Sequence, residues 1–213
     1  MAQALALFDF DGTLIPGDSI VAYTRFALRR GRMRPGAYLL SAAHGAGYLL
    51  GLEDENQSKS HALAFRGRLS SADRDELDRA FAGALLARVY PAARARLEEH
   101  RQAGRVALLV TASPECYMRF VGPALGFRAV LATPVSDENA VHGNCKGEEK
   151  IRRVMQWLRE NGVDADFSAS FAYGDSKSDL PMLKLCGHPV LVNPKPALLR
   201  SAPHLPREAW RYE

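Results

Sequence analysis

The sequence predicts an α/β fold: a Rossmann-like parallel sheet whose first strand is followed by an inserted bundle of helices. Two observations carry that prediction. From Pro91 onward, short apolar runs alternate with helix-length amphipathic segments, the pattern of strands joined by right-handed crossovers in a parallel sheet. Residues 16–88, by contrast, read as consecutive helices with no strand pattern among them. A chain of 213 residues can hold one large domain or a core with an insertion, and 47% hydrophobic content suffices for a real core.

The first element is the apolar run from Ala4, which stops abruptly at Asp9, Asp11, Gly12 and Thr13. A continuous apolar run fits a strand buried on both faces, although a short buried helix shares the pattern. Pro16-Gly17 then turns the chain, and Asp18-Ser19 can cap a helix over 20–30 that Gly31 ends. Pro35 starts a second helix reaching about residue 52, and a third covers about 56–66. Ser70-Ser71 caps a fourth over 72–89, with Leu77, Phe81, Leu85 and Val89 at helical spacing. Helix 92–103 precedes a buried strand at 106–110 that ends at Thr111-Ala112-Ser113. A helix from Pro114 to about 125, a strand at 129–132 and an irregular or hairpin excursion over 133–144 follow. Helix 147–161, strand 171–173, helix 180–185, strand 188–192 and a last short helix over 194–201 complete the pattern.

A formal charge of +4, with Arg and Lys scattered among Asp and Glu, describes a solvated surface with some preference for anionic substrates rather than a nucleic-acid interface. Cys116, Cys145 and Cys186 are odd in number and widely spaced, which disfavours disulfide and zinc frameworks and favours a reducing cytoplasm. The start leads straight into the first strand with no visible secretory signal, so a cytoplasmic protein is expected. The apolar stretch 36–52 falls short of the ~20 strongly apolar residues that span a bilayer. It reads as a buried or surface-seeking helix, with membrane contact the less favoured alternative.

The informative feature is that three apolar strands stop at groups suited to phosphate and a hard cation. Asp9 and Asp11 follow the first, Thr111 and Ser113 the second, Asp175 and Asp179 the third. In a parallel sheet those ends converge on the edge where ligands bind. Two carboxylates so close in sequence repel each other and are costly to bury unless a cation or shared proton compensates; magnesium, which prefers a few carboxylates plus water and phosphate oxygens, is the expected cation. The plain alternative is that both aspartates merely open a turn. One carboxylate could attack phosphorus, a second could move protons, and a hydroxyl with nearby backbone N–H groups could hold phosphoryl oxygens. A lysine is wanted to complete the charge clamp.

Asp9-Phe10-Asp11-Gly12-Thr13, Thr111-Ala112-Ser113, the helix start Cys145-Lys146-Gly147-Glu148-Glu149-Lys150, and Gly174-Asp175-Ser176-Lys177-Ser178-Asp179 resemble the four ordered motifs of the haloacid dehalogenase superfamily. The helical insert resembles the cap of its phosphoserine-phosphatase-like branch. The resemblance implies a catalytic core of residues 1–15 and 89–213 with a cap of residues 16–88. It implies Asp9 as nucleophile forming an aspartyl-phosphate, and Asp11 as the acid that protonates the leaving oxygen and then activates water. Thr111 would bind phosphate. Magnesium would be held by Asp9, Asp175 and the backbone carbonyl of Asp11, with Asp179 supporting the metal site or orienting the lysine. Lys150 is preferred to Lys146 for the clamp, because Val154 and Leu158 place an apolar stripe on its side of the helix.

For substrate, Ser113 joins the phosphate-facing groups. Asp18 sits where phosphoserine phosphatases carry a glutamate that meets the substrate amine, or is simply the helix cap. Arg66 and Arg68 could reach a substrate carboxylate, or are surface arginines. The expected activity is hydrolysis of a small phosphorylated substrate such as phosphoserine or histidinol phosphate. A phosphatidylglycerophosphate-type lipid phosphatase, a phosphomutase and a non-catalytic phospho-acceptor module remain as alternatives, and the sequence leaves the oligomeric state open.

Overall fold

A computed structural model describes residues 2–212. Its strands are β1 Leu5–Phe8, β2 Val106–Pro114, β3 Ala129–Thr133, β4 Phe171–Gly174, β5 His188–Val192 and β6 Arg207–Glu208. They form one sheet in the order β3-β2-β1-β4-β5-β6, with every neighbouring pair parallel. The helices are α1 Ser19–Arg29, α2 Pro35–Leu49, α3 Glu55–Leu63, α4 Ser71–Leu86, α5 Pro91–Gln102, α6 Glu115–Leu125, α7 Glu148–Glu160, α8 Leu180–Leu185 and α9 Pro196–Ser201. Strand order reverses around β1, so the carboxyl ends of β1 and β4 flank the crevice where such sheets take ligands.

The unbroken apolar character of β1 follows from burial on both faces. Ala6 and Phe8 belong to one buried cluster, with Tyr173 and Trp210, while Leu5 and Leu7 belong to the other, with Val154, Leu158 and Leu191. The first cluster continues without a break into the inserted helices through Tyr23, Phe65, Phe81 and Leu85. Helix starts follow their caps: Asp18 accepts from the Ile20 and Val21 amides, Asp54 from Gln57, and Ser70 from Asp73.

Several expectations shift. β2 does not stop at Val110 but bulges and pairs on as far as Pro114 with Thr133, so Thr111 and Ser113 lie within the strand. α2 ends at Leu49, three residues early, because Gly51 adopts a left-handed φ of 74°. α3 gives way at Ala64 to a tighter 3-10 turn through Arg68. Residues 133–144 make a small hairpin closed by an antiparallel Val135–Val141 bridge. β6 carries no apolar pattern and was not foreseen; two residues pair at the sheet edge with Leu191 and Val192.

Of the two readings for residues 36–52, the surface one holds: Ser41 is the only buried residue of α2, and Leu39, Leu40, Leu49, Leu50 and Leu52 are exposed. No described helix is long and apolar enough to cross a membrane. The three cysteines are buried and unpaired.

His100 of α5 is buried beneath the sheet, edge-on to Phe8, with Nε2 2.8 Å from the Tyr173 hydroxyl. Burial, reinforced by Arg105 and Arg96, lowers its pKa from 6.5 to about 4. The unfolded chain therefore takes up a proton that the folded one refuses, and stability is lost as pH falls from 6.5 toward 4. His100→Gln should lose less stability than the native chain over that window, by on the order of 2 kcal/mol, in urea titrations at stepped pH. Parallel acid limbs would show that His100 is not the responsible group.

Candidate active site

The loop after β1 is built around backbone rather than side chains. Phe10 carbonyl accepts from the Thr13, Leu14 and Ile15 amides, turning the chain back sharply behind Asp9 and Asp11. Gly12 is required there: its φ is +81°, and a Cβ would stand 2.1 Å from Asp175 Oδ2. That close approach of the β1 loop and the β4 end draws Asp9 and Asp175 together. One oxygen each from Asp9, Asp175 and Asp179 lie within 4.8 Å of one another, all three residues being buried.

Lys150 enters this group from the first turn of α7. It is 1% exposed and donates to Asp9 Oδ1 at 2.6 Å and Asp179 Oδ1 at 2.6 Å. Val154 and Leu158 are buried on the same side of α7, as the apolar stripe foretold. Lys146 goes elsewhere, to Tyr48 and Glu55 of the inserted helices. The other oxygen of Asp179 accepts from the Ser176 amide at 3.0 Å and hydroxyl at 2.7 Å. With both oxygens bonded, Asp179 is placed to orient Lys150.

Burial raises Asp9 to about 8, with Asp179 adding to it and Lys150 opposing. Burial would also raise Asp179, but Lys150 and the Ser176 bonds together bring it below its ordinary value. Burial alone would lower Lys150; Asp179 and Asp9 reverse that and hold it charged. Asp175 is raised, chiefly by burial, and has Lys195 Nζ at 2.8 Å from Oδ2 as its countercharge. Lys195 itself is largely exposed, so this corner suits a further cation of the oxygen-seeking kind.

Asp11 points away from that group. Its Oδ1 accepts from the Ser19 amide at 2.9 Å, and its Oδ2 accepts from the Ser113 hydroxyl at 2.7 Å, with the Ser19 hydroxyl 2.9 Å away. Thr111 Oγ1 is 3.0 Å from Ser113 Oγ, and the Tyr117 hydroxyl is 2.9 Å from Ser19 Oγ. Burial, then the Asp18 charge, pushes Asp11 up to about 7 against the pull of the serine bonds. Both Asp11 carboxylate oxygens are thus engaged by α1 and β2, outside the Asp9–Asp175–Asp179 group.

These groups line a cleft of about 210 Å³ roofed by the inserted helices: Asp9, Asp11, Thr111, Ser113, Lys150, Asp175 and Asp179 below, Asp18, Tyr48, Glu55 and Lys59 above. Asp18 caps α1 and lines the cleft, so its two readings coexist. Arg66 does not join them. Its guanidinium is buried against Asp78, the Tyr23 hydroxyl and, at 3.1 Å, Asn139 Oδ1, since a buried carboxylate holds a guanidinium it can pair with. Arg68 is exposed and outside the cleft.

Ser19, Tyr117, Lys195, Glu55 and Lys59 were not foreseen. Lys59 ties the roof to the floor, donating to the Ala112 carbonyl and Asn144 Oδ1, each at 2.8 Å, and pairing with Glu55 at 3.0 Å. Burial would raise Glu55, but Lys59 and Lys146 outweigh it and hold the carboxyl near 2.

The model of the haloacid dehalogenase-like hydrolase family matches residues 6–184. Over 93% of this chain and 94% of its own length, a histidinol-phosphatase of Neisseria meningitidis is 30% identical. A Bordetella pertussis protein of unknown function superposes with a TM-score of 0.87 at 26% identity, covering 97% of this chain and 98% of its own. A substrate-bound phosphoserine phosphatase shares the fold, with a TM-score of 0.65 at 18% identity over 98% of this chain and 94% of its own.

Lys150→Met strands Asp9 and Asp179 in the interior, and in metal-free buffer should cost about 3–5 kcal/mol in urea unfolding. That loss should shrink between about pH 8 and pH 5, because a stranded carboxylate is relieved by taking a proton in the folded state. An equal loss at both pH values would contradict the ion triad.

Proposed function

Because the chain belongs to the haloacid dehalogenase-like hydrolase family, we propose that it is a magnesium-dependent phosphomonoesterase working through an aspartyl-phosphate. The observation that carries this reading is the pairing of two differently treated aspartates: Asp9 held by a buried lysine, and Asp11 held by hydroxyls two residues on. On this reading residues 1–15 and 89–213 are the catalytic core, and residues 16–88 are the cap over the substrate.

Asp9 attacks phosphorus as the carboxylate, the form that Lys150 favours, and the bond from phosphorus to the ester oxygen breaks. Asp11, whose raised pKa suits an acid near neutrality, gives its proton to that leaving oxygen. The alcohol departs, Asp11 then takes a proton from water, and the resulting hydroxide displaces phosphate from Asp9. Lys150 and Thr111 hold phosphoryl oxygens, while Ser19 and Ser113 fix the orientation of Asp11. Asp179 positions Lys150. The buried carboxylates that approach one another, Asp9, Asp175 and Asp179, are a hard-oxygen set that fits magnesium; Asp9 and Asp175, with the Asp11 carbonyl that the family resemblance implies, would hold it. When bound, the ion would neutralise the charge that otherwise keeps an anionic nucleophile from an anionic phosphate.

The substrate is a small phosphorylated molecule, with histidinol phosphate and phosphoserine the first candidates by kinship and Asp18 available to a substrate amine. Asp9→Asn should abolish magnesium-dependent phosphate release from a panel of amino-acid, sugar, nucleotide and lipid monoesters. Turnover indifferent to Asp9 or to magnesium would overturn the reading. Asp11→Asn should lower kcat by roughly a hundred- to ten-thousandfold, and should spare formation of the phosphorylated enzyme from an aryl phosphate, whose leaving group needs no proton. Phosphate trapped on the acid-quenched variant measures that split.

A further inference from the structure

Beside the catalytic cleft lies a second cavity, of about 400 Å³, between α1, α2 and α3. Ile20, Ala46, Leu49 and the rings of Tyr38 and Tyr48 make it largely apolar. Its room comes from short side chains on α2: Gly45 lines it, and a Cβ built there would meet no atom within 4 Å. Asp18, Ile20, Tyr48, Glu55 and Lys59 line both this cavity and the cleft, so the two are neighbours across a belt of side chains. Apart from Ile20 the belt is polar and crosslinked, Tyr48 donating to Glu55 at 3.1 Å and Glu55 pairing with Lys59 at 3.0 Å. On the outer side stands Leu49, 83% exposed, followed by exposed Leu50 and Leu52.

A cleft of about 210 Å³ takes a phosphoryl group and a short polar alcohol on its own. An alcohol of that size leaves the apolar cavity wetted. We infer that the cavity is the subsite for an apolar portion of the leaving alcohol, and that among small phosphomonoesters the amphiphilic ones are preferred to the polar candidates that kinship suggests, phosphoserine and histidinol phosphate. Such a substrate sets its phosphate at Asp9, a polar linker against the Tyr48–Glu55–Lys59 belt, and an aliphatic chain along α2 toward the exposed leucines. This rests on the phosphomonoesterase reading and specifies its substrate. The chemistry is unchanged: the same ester bond is hydrolysed, and the chain contributes binding alone.

The test is kcat/KM for a series of n-alkyl phosphates from ethyl to octyl, kept monomeric, beside phosphoserine and histidinol phosphate. Each methylene buried in the cavity should raise kcat/KM about fourfold until the cavity is full. Gly45→Leu and Ala46→Phe, which fill the cavity, should flatten the series. Both residues lie in α2, and leucine is a better helix former than glycine, so Gly45→Leu is not expected to harm folding. A flat series in the native chain, with ethyl phosphate still hydrolysed, overturns the inference alone. So does a rise that survives both substitutions, or a preference for phosphoserine or histidinol phosphate over every alkyl ester. Absence of magnesium-dependent release from any ester overturns the phosphomonoesterase reading instead. Should either variant fail to fold, Ki values of non-hydrolysable alkylphosphonates on the native chain provide the same chain-length slope.

Discussion

The ammonium of Lys150, nearly out of contact with solvent, stands between Asp9 and Asp179, and the whole carboxyl edge of the sheet is arranged around that ion triad. Three carboxylates cannot share a dry pocket without countercharge. One cation serves Asp9 and Asp179, a surface lysine serves Asp175, and the corner between Asp9 and Asp175 still suits a divalent ion. The tightness of the β1 loop, with a glycine where a methyl group would collide with Asp175, follows from the same need to gather charge into a small volume.

Two residues beyond Asp9 the environment changes character. Asp11 forms no ion pair among the described residues; its partners are neutral hydroxyls and one amide, and burial beside Asp18 raises its affinity for a proton. One short loop thus presents two identical side chains with different electrostatic surroundings, one paired with a fixed cation and one ready to exchange a proton. The division comes from which neighbours each faces: α7 and the β4 end for Asp9, α1 and β2 for Asp11.

Much of this was legible in the residues. Strand ends are legible because an apolar run that stops at a carboxylate has only one place to put it, and the helical stripe of Val154 and Leu158 correctly turned Lys150, not Lys146, toward the core. Ser19 and Tyr117 were illegible, since each is an ordinary helix residue until tertiary packing sets it beside Asp11. Glu55 and Lys59 lie in a helix with little apolar periodicity, and only docking onto Ala112 and Asn144 makes them part of the cleft. Arg66 was not legible as a buried residue, because an arginine reads either as surface or as a substrate contact, whereas Asp78, hidden in α4, draws it inward. β6 left no trace because a two-residue edge strand needs no pattern of its own.

The position of the insert also governs how the chain is made. β1 pairs with Val106 through Leu109 on one side and with Phe171 through Tyr173 on the other. On a ribosome adding about 5–20 residues per second, the first strand waits on the order of 5–20 s for its first partner and longer for its second. For that interval a wholly apolar strand of the sheet is unsheathed, while the helices that follow it are free to fold on local contacts. The strand that ends at Asp9 is therefore a part of the nascent chain in need of a chaperone, and a place where slow synthesis would turn into aggregation.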